Sequence, residues 1–381
     1  MFSEFDKQMM TKAIALAKQG LYSTKPNPTV GCIICKDSQV IAEGWHRRAG
    51  EPHAEQFAIR EANEKGVSLL GATAYVTLEP CSHIGKTPSC ADALAGVGVS
   101  KVVVAMQDPN PLVSGKGIKK LLANAIDVKV GLMAQEAEQL NKGFIHSMKN
   151  NIPFVRLKIA SSLDGRTAMA NNQSKWITGE EARVEVHKMR AKHGAIITGI
   201  GTILADNPSL NVRLSDEQLT EMNLTTETCQ PIRVVLDANL SVPIDSKMFS
   251  SVAKTIIMTS KETTETSQDI INQLYQKNVE IVAVATDGDK LDIESVLAYL
   301  SKVENINDVM VEAGAVVAGA FIQSGFVQEV HVFMAPILMG DKAKPMFVLD
   351  GLNTMDDKIN FEYSNIAMSG KDIHFTLIPK A

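Results

Sequence analysis

Apolar and polar residues follow two alternating patterns along the chain, and together they predict an α/β protein. In the first part, segments with apolar residues every three or four positions are separated by short continuous apolar runs such as Val102-Val103-Val104. Continuous runs are typical of strands that helices cover on both faces. The pattern predicts helices at residues 3–19, 53–63, 91–95, 118–125 and 135–148, and strands at 30–35, 40–43, 72–78, 101–105 and 127–130.

A turn-rich stretch at residues 149–153 interrupts this pattern and ends in Pro153. Proline disfavours helical backbone in the residue before it, so the preceding helix should end here. We therefore predict a boundary near Asn150, with one domain at residues 1–150 and a second at 151–381.

The second part begins again with a strand and then alternates strands with helices. Thr178 and Glu181 have capping-box spacing and predict a helix start. The last three strands have no helix between them, so the final two should pair as a hairpin. The polar stretch 215–229 is predicted as a surface loop. Strands are predicted at 154–160, 195–199, 233–236, 255–259, 280–285, 308–312, 329–337, 361–367 and 372–378, and later helices at 267–276, 293–301 and 316–323.

Composition limits the classes of function. Hydrophobic residues make up 45% of the 381 residues and the formal net charge is −5, which excludes wholesale disorder and argues against a general nucleic-acid or anionic-membrane binder. We find no apolar run of the roughly 18–20 residues that a membrane helix needs and no secretory signal. The odd number of cysteines, five, favours a reducing cytoplasm over a disulfide framework.

The first part contains residues of the types that bind zinc, in an order that could form a three-ligand site: His53, then Pro80-Cys81, then Cys90. Catalytic zinc sites use three nitrogen or sulfur ligands and leave one position for water. Glu55, two residues after His53, could exchange protons with that water without binding the metal, as in zinc deaminases. Eight residues separate the cysteines instead of the usual two. The alternative is that the three ligands are unrelated core residues.

Two neighbouring features are less specific. The loop between the cysteines carries His83 and Lys86, which suit a phosphate, although a solvated lysine is an alternative interpretation of Lys86. Cys32 and Cys35 lie three residues apart on a predicted strand, so they point to opposite faces and should pack in the core.

Small residues cluster at strand-to-helix turns of the second part, as at 198–202 and 312–321. Backbone amides at such turns can bind a phosphate. The Gly-x-Gly-x-x-Gly fingerprint does not follow the first strand. The residues alone indicate a small anionic ligand at the carboxyl ends of a parallel sheet, and ordinary turn glycines would explain them equally well.

The segment TLEPCSHIGKTPSC at residues 77–90 resembles the zinc motif of the bacterial bifunctional riboflavin-biosynthesis deaminase/reductase family. So do PNPTVG at 26–31, DPNP at 108–111 and GKG at 115–117, in the same order. Ser89 stands where the family usually has proline, and Ala313 where it commonly has glycine.

The resemblance implies an N-terminal cytidine-deaminase-like α/β/α domain and a C-terminal dihydrofolate-reductase-like domain with a mostly parallel sheet and antiparallel C-terminal strands. It implies zinc-dependent hydrolytic deamination of 2,5-diamino-6-(5-phosphoribosylamino)pyrimidin-4(3H)-one. NADPH-dependent reduction of the ribosyl group would then give 5-amino-6-(5-phosphoribitylamino)uracil. The expected protein is a cytoplasmic homo-oligomer, a dimer or tetramer, that binds one zinc per chain and a phosphorylated pyrimidine, but neither nucleic acid nor a membrane.

By matching position, the resemblance also assigns roles to residues. In the first domain it assigns proton transfer to Glu55, zinc binding to His53, Cys81 and Cys90, and substrate binding to Asn27, His46, His83 and Lys86. In the second it assigns cofactor binding to Ser161, Trp176, Thr202, Asp206, Gly314, Ala315, Val316, Val317, Ala318, Gly319 and Ala320. It assigns reductase substrate binding to Ser174, Arg190, Leu210, Arg213 and Glu312.

Two of these residues, Arg190 and Arg213, suit the substrate phosphate because a guanidinium forms bidentate pairs with it. A surface ion pair on the helix is the alternative for Arg190. Lys158, on a predicted buried strand, is a further candidate for the site.

A different function also fits part of the pattern: a nucleic-acid base deaminase whose second domain binds a nucleotide without turnover. The acidic balance and the lack of a basic, aromatic-rich stripe count against it.

Overall fold

The computed structural model describes residues 1–82, 89–111, 113–250 and 253–380. The chain divides into two compact units. Unit 1 comprises Met1–Asn151 and Thr220–Leu224, and unit 2 comprises Ile152–Leu219 and Thr225–Ala381. Among the described residues, no helix is long and apolar enough to cross a membrane.

Unit 1 contains a five-stranded sheet in the order β2-β1-β3-β4-β5. The pairs β1–β2 and β1–β3 are antiparallel, and β3–β4 and β4–β5 are parallel. Its elements are α1 (Glu4–Lys18), β1 (Gly31–Lys36), β2 (Gln39–Trp45), α2 (Ala54–Glu64), β3 (Thr73–Leu78), α3 (Cys90–Gly96), β4 (Lys101–Met106), α4 (Lys116–Ala123), β5 (Asp127–Val130), α5 (Ala134–Leu140) and α6 (Lys142–Asn150).

The first helix illustrates how the sequence determines local structure. The Ser3 hydroxyl accepts from the Asp6 backbone N–H, and the Asp6 carboxylate accepts from Ser3 in return, so a capping box begins α1. A Cβ atom at Gly31 would lie 2.0 Å from the Ala13 carbonyl oxygen. Only glycine therefore lets α1 lie this close to β1.

One prediction for unit 1 is wrong: residues 135–148 do not form a single helix. The helix is interrupted at Asn141, whose side-chain oxygen accepts a hydrogen bond from the Thr29 backbone N–H at 2.8 Å. The Asn141 amide nitrogen donates to the Thr29 carbonyl oxygen at 3.0 Å. This pairing across 112 residues satisfies a buried amide, and it separates α5 from α6.

Unit 2 contains a nine-stranded sheet in the order β11-β10-β9-β8-β14-β6-β15-β18-β17. All neighbouring pairs from β11 to β15 are parallel, whereas β15–β18 and β17–β18 are antiparallel. The predicted fold, a mostly parallel sheet that ends in an antiparallel hairpin, is confirmed. The strands are β6 (Phe154–Ser162), β7 (Arg166–Ala168), β8 (Ala195–Gly199), β9 (Ile232–Leu236), β10 (Thr255–Ser260), β11 (Val279–Val284), β12 (Thr286–Asp287), β13 (Lys290–Leu291), β14 (Asp308–Val311), β15 (Val327–Ala335), β16 (Lys344–Pro345), β17 (Phe361–Ser369) and β18 (Asp372–Pro379).

The helices between these strands are mostly short. They are α7 (Glu180–Lys192), α8 (Ile200–Asp206), α9 (Asp216–Glu221), α10 (Lys261–Thr266), α11 (Gln268–Tyr275), α12 (Ile293–Lys302) and α13 (Ala315–Gln323), with single 3-10 turns at Lys247–Ser250 and Met355–Asp357.

The predicted capping box at Thr178 is wrong. The N-cap of α7 is Gly179, which has no capping side chain of its own. Its backbone N–H donates instead to the Asp372 carboxylate at 2.6 Å. The Asp372 carboxylate, from a distant strand, therefore accepts from the N-cap N–H, a contact that the predicted capping box assigned to the Glu181 side chain.

Residues 215–229, predicted as a surface loop, contain helix α9 and several buried apolar side chains. Leu219, Met222 and Leu224 are each less than 9% exposed. The apolar residues are too widely spaced in a polar stretch to show a period, but burying them orders the segment.

Candidate active sites

The structure brings together the three predicted zinc ligands, His53, Cys81 and Cys90. Their ligand atoms all lie within 4.8 Å of one another. The Cys90 Sγ atom is 3.3 Å from His53 Nδ1, and the Cys90 backbone N–H donates to Cys81 Sγ at 3.3 Å. His53 is the N-cap of α2 and Cys90 is the first residue of α3, so two helix starts and the end of β3 build this metal group.

The electrostatics of the metal group favour a thiolate. Hydrogen bonds from Cys90 and from the His53 ring lower the pKa of Cys81 to about 4, although burial opposes the shift. A hydrogen bond to Cys81 and burial raise the pKa of Cys90. The thiolate is the form of cysteine that binds metal, so the donor set suits a zinc ion.

Glu55 lies in the first turn of α2 and is 3% exposed. Burial raises the pKa of its carboxyl group, and the nearby His53 opposes that shift. The carboxyl group also forms a hydrogen bond with the Cys90 side chain. A carboxyl group that is buried at the edge of the metal group is placed to hold or release a proton there.

Glu79 fixes the backbone that presents Cys81. Its two carboxylate oxygens accept from the backbone N–H groups of four residues at 2.9–3.2 Å: Asp108, Gly115, Gly117 and Ile118. A Cβ atom at Gly117 would lie 1.9 Å from the Pro80 carbonyl oxygen. The start of α4 is therefore held directly against the turn that carries the ligand.

Lys120, one turn further along α4, contacts both ends of the loop between the cysteines. Its ammonium donates to the Asp92 carboxylate at 2.6 Å, to the Ser82 carbonyl oxygen at 3.3 Å and to the Ser89 hydroxyl at 3.4 Å. Glu79 and Lys120 are not among the site residues predicted from the sequence, because their partners are distant in sequence.

Two of the four predicted deaminase substrate residues lie next to the metal group. The His46 and His53 rings are 5.5 Å apart, edge to face. His46 Nε2 is 3.1 Å from the Asn27 amide nitrogen, and His46 Nδ1 donates to the Pro52 carbonyl oxygen at 3.0 Å. The other two, His83 and Lys86, lie outside the described residues.

Cys32 and Cys35 take the role that the strand pattern predicts. Both are buried on β1 within the apolar core of unit 1. Burial raises the pKa of each thiol, to about 11 for Cys35.

A second cluster of charged side chains lies in unit 2. Arg190 on α7 forms a bidentate pair with Glu312: Nε donates at 3.0 Å and Nη2 at 2.5 Å. The Lys158 ammonium on β6 is 3.8 Å from the same carboxylate. Burial raises the pKa of Glu312, but the charges of Arg190 and Lys158 outweigh it and lower that pKa to about 2. The ion pair is thus with Glu312, and not with a neighbouring turn of the helix.

Asn211 links this pair to Arg213. Its backbone carbonyl accepts from Arg190 at 2.9 Å, and its side-chain oxygen accepts from Arg213 at 2.5 Å. Leu210, the residue before it, is buried and has a positive φ of 47°. The structure therefore brings four of the five predicted reductase substrate residues together, Arg190, Leu210, Arg213 and Glu312.

His187 also belongs to this cluster, although it is not among the site residues predicted from the sequence. The Arg213 backbone N–H donates to His187 Nδ1 at 3.2 Å. Its spacing could have revealed it, because His187 precedes Arg190 by three residues on α7 and so lies on the same helix face.

The predicted cofactor residues surround the carboxyl ends of β6, β8 and β14. The Thr202 hydroxyl accepts from the Gly314 backbone N–H at 3.2 Å. Asp206 accepts from Ser174, the fifth predicted substrate residue, at 2.9 Å. Trp176 is 68% exposed, and the Arg183 guanidinium lies 4.8 Å from its ring centroid. Ser161 Oγ is buried and makes no hydrogen bond within the described residues.

Helix α13 begins at the predicted phosphate-binding segment. Gly314 is its N-cap, without a capping side chain, and Val316 is exposed. Ala318 and Gly319, in contrast, are buried. A Cβ atom at Gly319 would lie 1.8 Å from the Val348 carbonyl oxygen, so this part of the helix packs on protein.

Comparisons with known proteins agree with this division into two units. Residues 3–106 match the cytidine and deoxycytidylate deaminase zinc-binding region, and residues 153–375 match the RibD C-terminal domain. The chain is 43% identical over 375 residues to the riboflavin biosynthesis protein RibD of Escherichia coli, which covers 98% of this chain and 99% of that protein.

Solved structures that match over 99% of this chain and 99% of their own include two from different organisms. Acinetobacter baumannii RibD has 44% sequence identity and a TM-score of 0.88. The diaminohydroxyphosphoribosylaminopyrimidine deaminase/5-amino-6-(5-phosphoribosylamino)uracil reductase of Thermotoga maritima has 35% identity and a TM-score of 0.86.

The zinc-type metal group, the two folds and these matches define a zinc deaminase joined to a reductase in one chain. The chain belongs to the RibD family of riboflavin-biosynthesis enzymes. Its membership favours the bifunctional enzyme over a nucleic-acid base deaminase with a non-catalytic second domain.

Proposed function

We propose that unit 1 deaminates 2,5-diamino-6-(5-phosphoribosylamino)pyrimidin-4(3H)-one and that unit 2 reduces the product to 5-amino-6-(5-phosphoribitylamino)uracil. The observation that carries the proposal is the group of His53, Cys81 and Cys90 with the buried Glu55 beside it. The T. maritima relative, whose name states both activities, supports the choice of substrate.

The first reaction needs a nucleophilic water and a proton carrier. Two sulfur atoms and an imidazole nitrogen within 4.8 Å fit zinc, which when bound supplies Lewis-acid activation of water. Glu55 takes the proton from the water that attacks the amine-bearing ring carbon, and it delivers that proton to the amine, which leaves as ammonia. Asn27 and His46 hold the pyrimidine, and His83 and Lys86 bind its phosphoribosyl group.

The second reaction needs a dinucleotide and a bound phosphate. The hydroxyl of Ser161 without an internal partner and the uncapped start of α13 fit NADPH, which when bound would supply the hydride. The hydride would add to C1 of the ribosyl group after the C1–O4 bond of the ribose ring has opened to an imine. Trp176, Thr202 and Asp206 position the cofactor, and Gly314 to Val317 face its phosphates. Burial limits Ala318 and Gly319 to shaping the helix, and Ala320 lies a turn beyond its start.

The substrate of unit 2 is held by the charged cluster. Arg213 binds the phosphate with Arg190, because two guanidinium groups offer paired donors to a dianion. Glu312 holds Arg190 in place, and Ser174 and Leu210 complete the wall of the site.

Replacing Arg213 with Ala should impair reduction and leave deamination nearly intact. Losing one charge-assisted contact should raise the KM for the deaminated substrate about 10–100-fold. Steady-state NADPH oxidation and ammonia release measure the two activities separately. Lys188→Ala, which removes a cation from α7 only, is the matched control and should change neither. Equal damage to both activities in Arg213→Ala would overturn this site.

We further propose that the enzyme acts as a homodimer in the cytoplasm. Strand β17 is the outer strand of its sheet and is exposed at seven successive positions, with Tyr363, Ile366 and Met368 each more than half exposed. An apolar edge strand of this kind fits a second copy of the chain. Light scattering should report a dimer for the wild type and a monomer for Ile366→Glu; a monomeric wild type rejects the proposal. The five cysteines, all of which lie in the described part of the chain, form no disulfide, and this fits a reducing compartment.

A further inference from the structure

His187 lies inside the charged cluster of unit 2, and a hydrogen bond determines the protonation of one of its ring nitrogens. Because the Arg213 backbone N–H donates to Nδ1, that nitrogen acts as the acceptor and carries no proton. The proton of the neutral ring therefore lies on Nε2. Within the described residues, no hydrogen bond from Nε2 is formed.

The net charge around His187 favours the binding of an anion. The charged groups that interact electrostatically with its ring are three cations, Lys158, Arg190 and Arg213, and one anion, Glu312. The carboxylate of Glu312 is committed to Arg190 at 2.5–3.0 Å. The cluster therefore has excess positive charge and a free N–H donor directed by a backbone contact.

We propose that His187 is a third ligand of the substrate phosphate, which it contacts through Nε2–H beside Arg190 and Arg213. This inference rests on the proposed function, in which the two arginines bind the phosphate.

The protonation state of His187 agrees with a donor role at neutral pH. Burial and the charges of Arg190 and Arg213 lower the pKa of His187 to about 4. The ring is therefore neutral in the free enzyme, with its single N–H on Nε2, and a bound dianion would offset the neighbouring cations.

The test compares two ligands that differ only in the phosphate: 5-amino-6-(5-phosphoribitylamino)uracil and its dephosphorylated form. Calorimetric titration of the full-length enzyme measures the affinity for each. His187→Phe keeps a ring but removes the donor, and it should weaken binding of the phosphorylated ligand about 10–100-fold while leaving the dephosphorylated ligand unchanged. His187→Gln, whose amide can replace Nε2–H, should retain most of the affinity.

Two controls separate this inference from the proposed function. Lys188→Ala on the same helix should bind both ligands like the wild type, and thermal unfolding should show that His187→Phe is folded. If the wild type binds both ligands equally, or if Arg213→Ala keeps the wild-type preference for the phosphorylated ligand, the phosphate site itself is wrong. If Arg213→Ala loses the preference for the phosphorylated ligand but His187→Phe binds both ligands like the wild type, only the proposed role of His187 is wrong. Equal weakening of both ligands would indicate a structural role and would also reject the inference.

Discussion

Replacing Glu55 with Gln should slow deamination at least about 10³-fold while the protein keeps its zinc. Glutamine has the size of glutamate and can still accept a hydrogen bond from the Cys90 side chain, but it cannot carry a proton between water and the leaving amine. Glu55 is buried in the first turn of α2, so bulk solvent has little access to the position of its carboxyl group. Ammonia release measures the rate, and elemental analysis measures the zinc.

Glu64→Gln is the matched control for this variant, because Glu64 is an exposed residue in the last turn of the same helix. It should deaminate like the wild type. Glu55→Gln should also still reduce the deaminated substrate with NADPH. Loss of zinc from Glu55→Gln would show that the carboxylate is a metal ligand, contrary to the role assigned to it.

Replacing Cys81 with Ala should remove the zinc and reduce deamination to background. The variant keeps only two ligands, His53 and Cys90. Zinc sites in proteins generally use at least three protein ligands, so two should not retain the ion. Reduction of the deaminated substrate should be unchanged, because its residues belong to unit 2. Zinc content and the two activities of the same preparation provide the measurement.

Cys35→Ala tests whether losing any buried thiol has the same effect. Cys35 lies in the core of unit 1 and outside the metal group. This variant should keep one zinc per chain and its deaminase activity, with at most a modest loss of stability. A Cys81→Ala protein that retained one zinc per chain would mean that the ligands have been assigned incorrectly.

The sequence allowed the zinc group to be predicted because its chemistry is local. His53 and Glu55 are two residues apart at a helix start, and Cys81 and Cys90 flank one loop. Hydrophobic periodicity likewise predicted most strands and helices, including the final hairpin, because burial on one or both faces leaves a regular pattern.

Features that depend on distant partners could not be predicted in this way. Asn141 breaks a helix because its partner is Thr29, and Gly179 begins α7 because Asp372 accepts its N–H from 193 residues away. The bidentate contact between Arg190 and Glu312 spans 122 residues. Single-sequence patterns report the preferences of short segments, whereas these contacts arise only when the sheet has formed.

We expect one chain to carry out two successive reactions on one substrate. The most direct test supplies the wild-type enzyme with zinc, NADPH and 2,5-diamino-6-(5-phosphoribosylamino)pyrimidin-4(3H)-one, and follows ammonia and NADPH in the same vessel. We expect one ammonia released for each NADPH oxidised, with ammonia appearing first, and no NADPH oxidation by Glu55→Gln until deaminated substrate is added. Oxidation of NADPH by Glu55→Gln without added deaminated substrate, or ammonia release with no NADPH oxidation in the wild type, would show that reduction does not follow deamination in this chain.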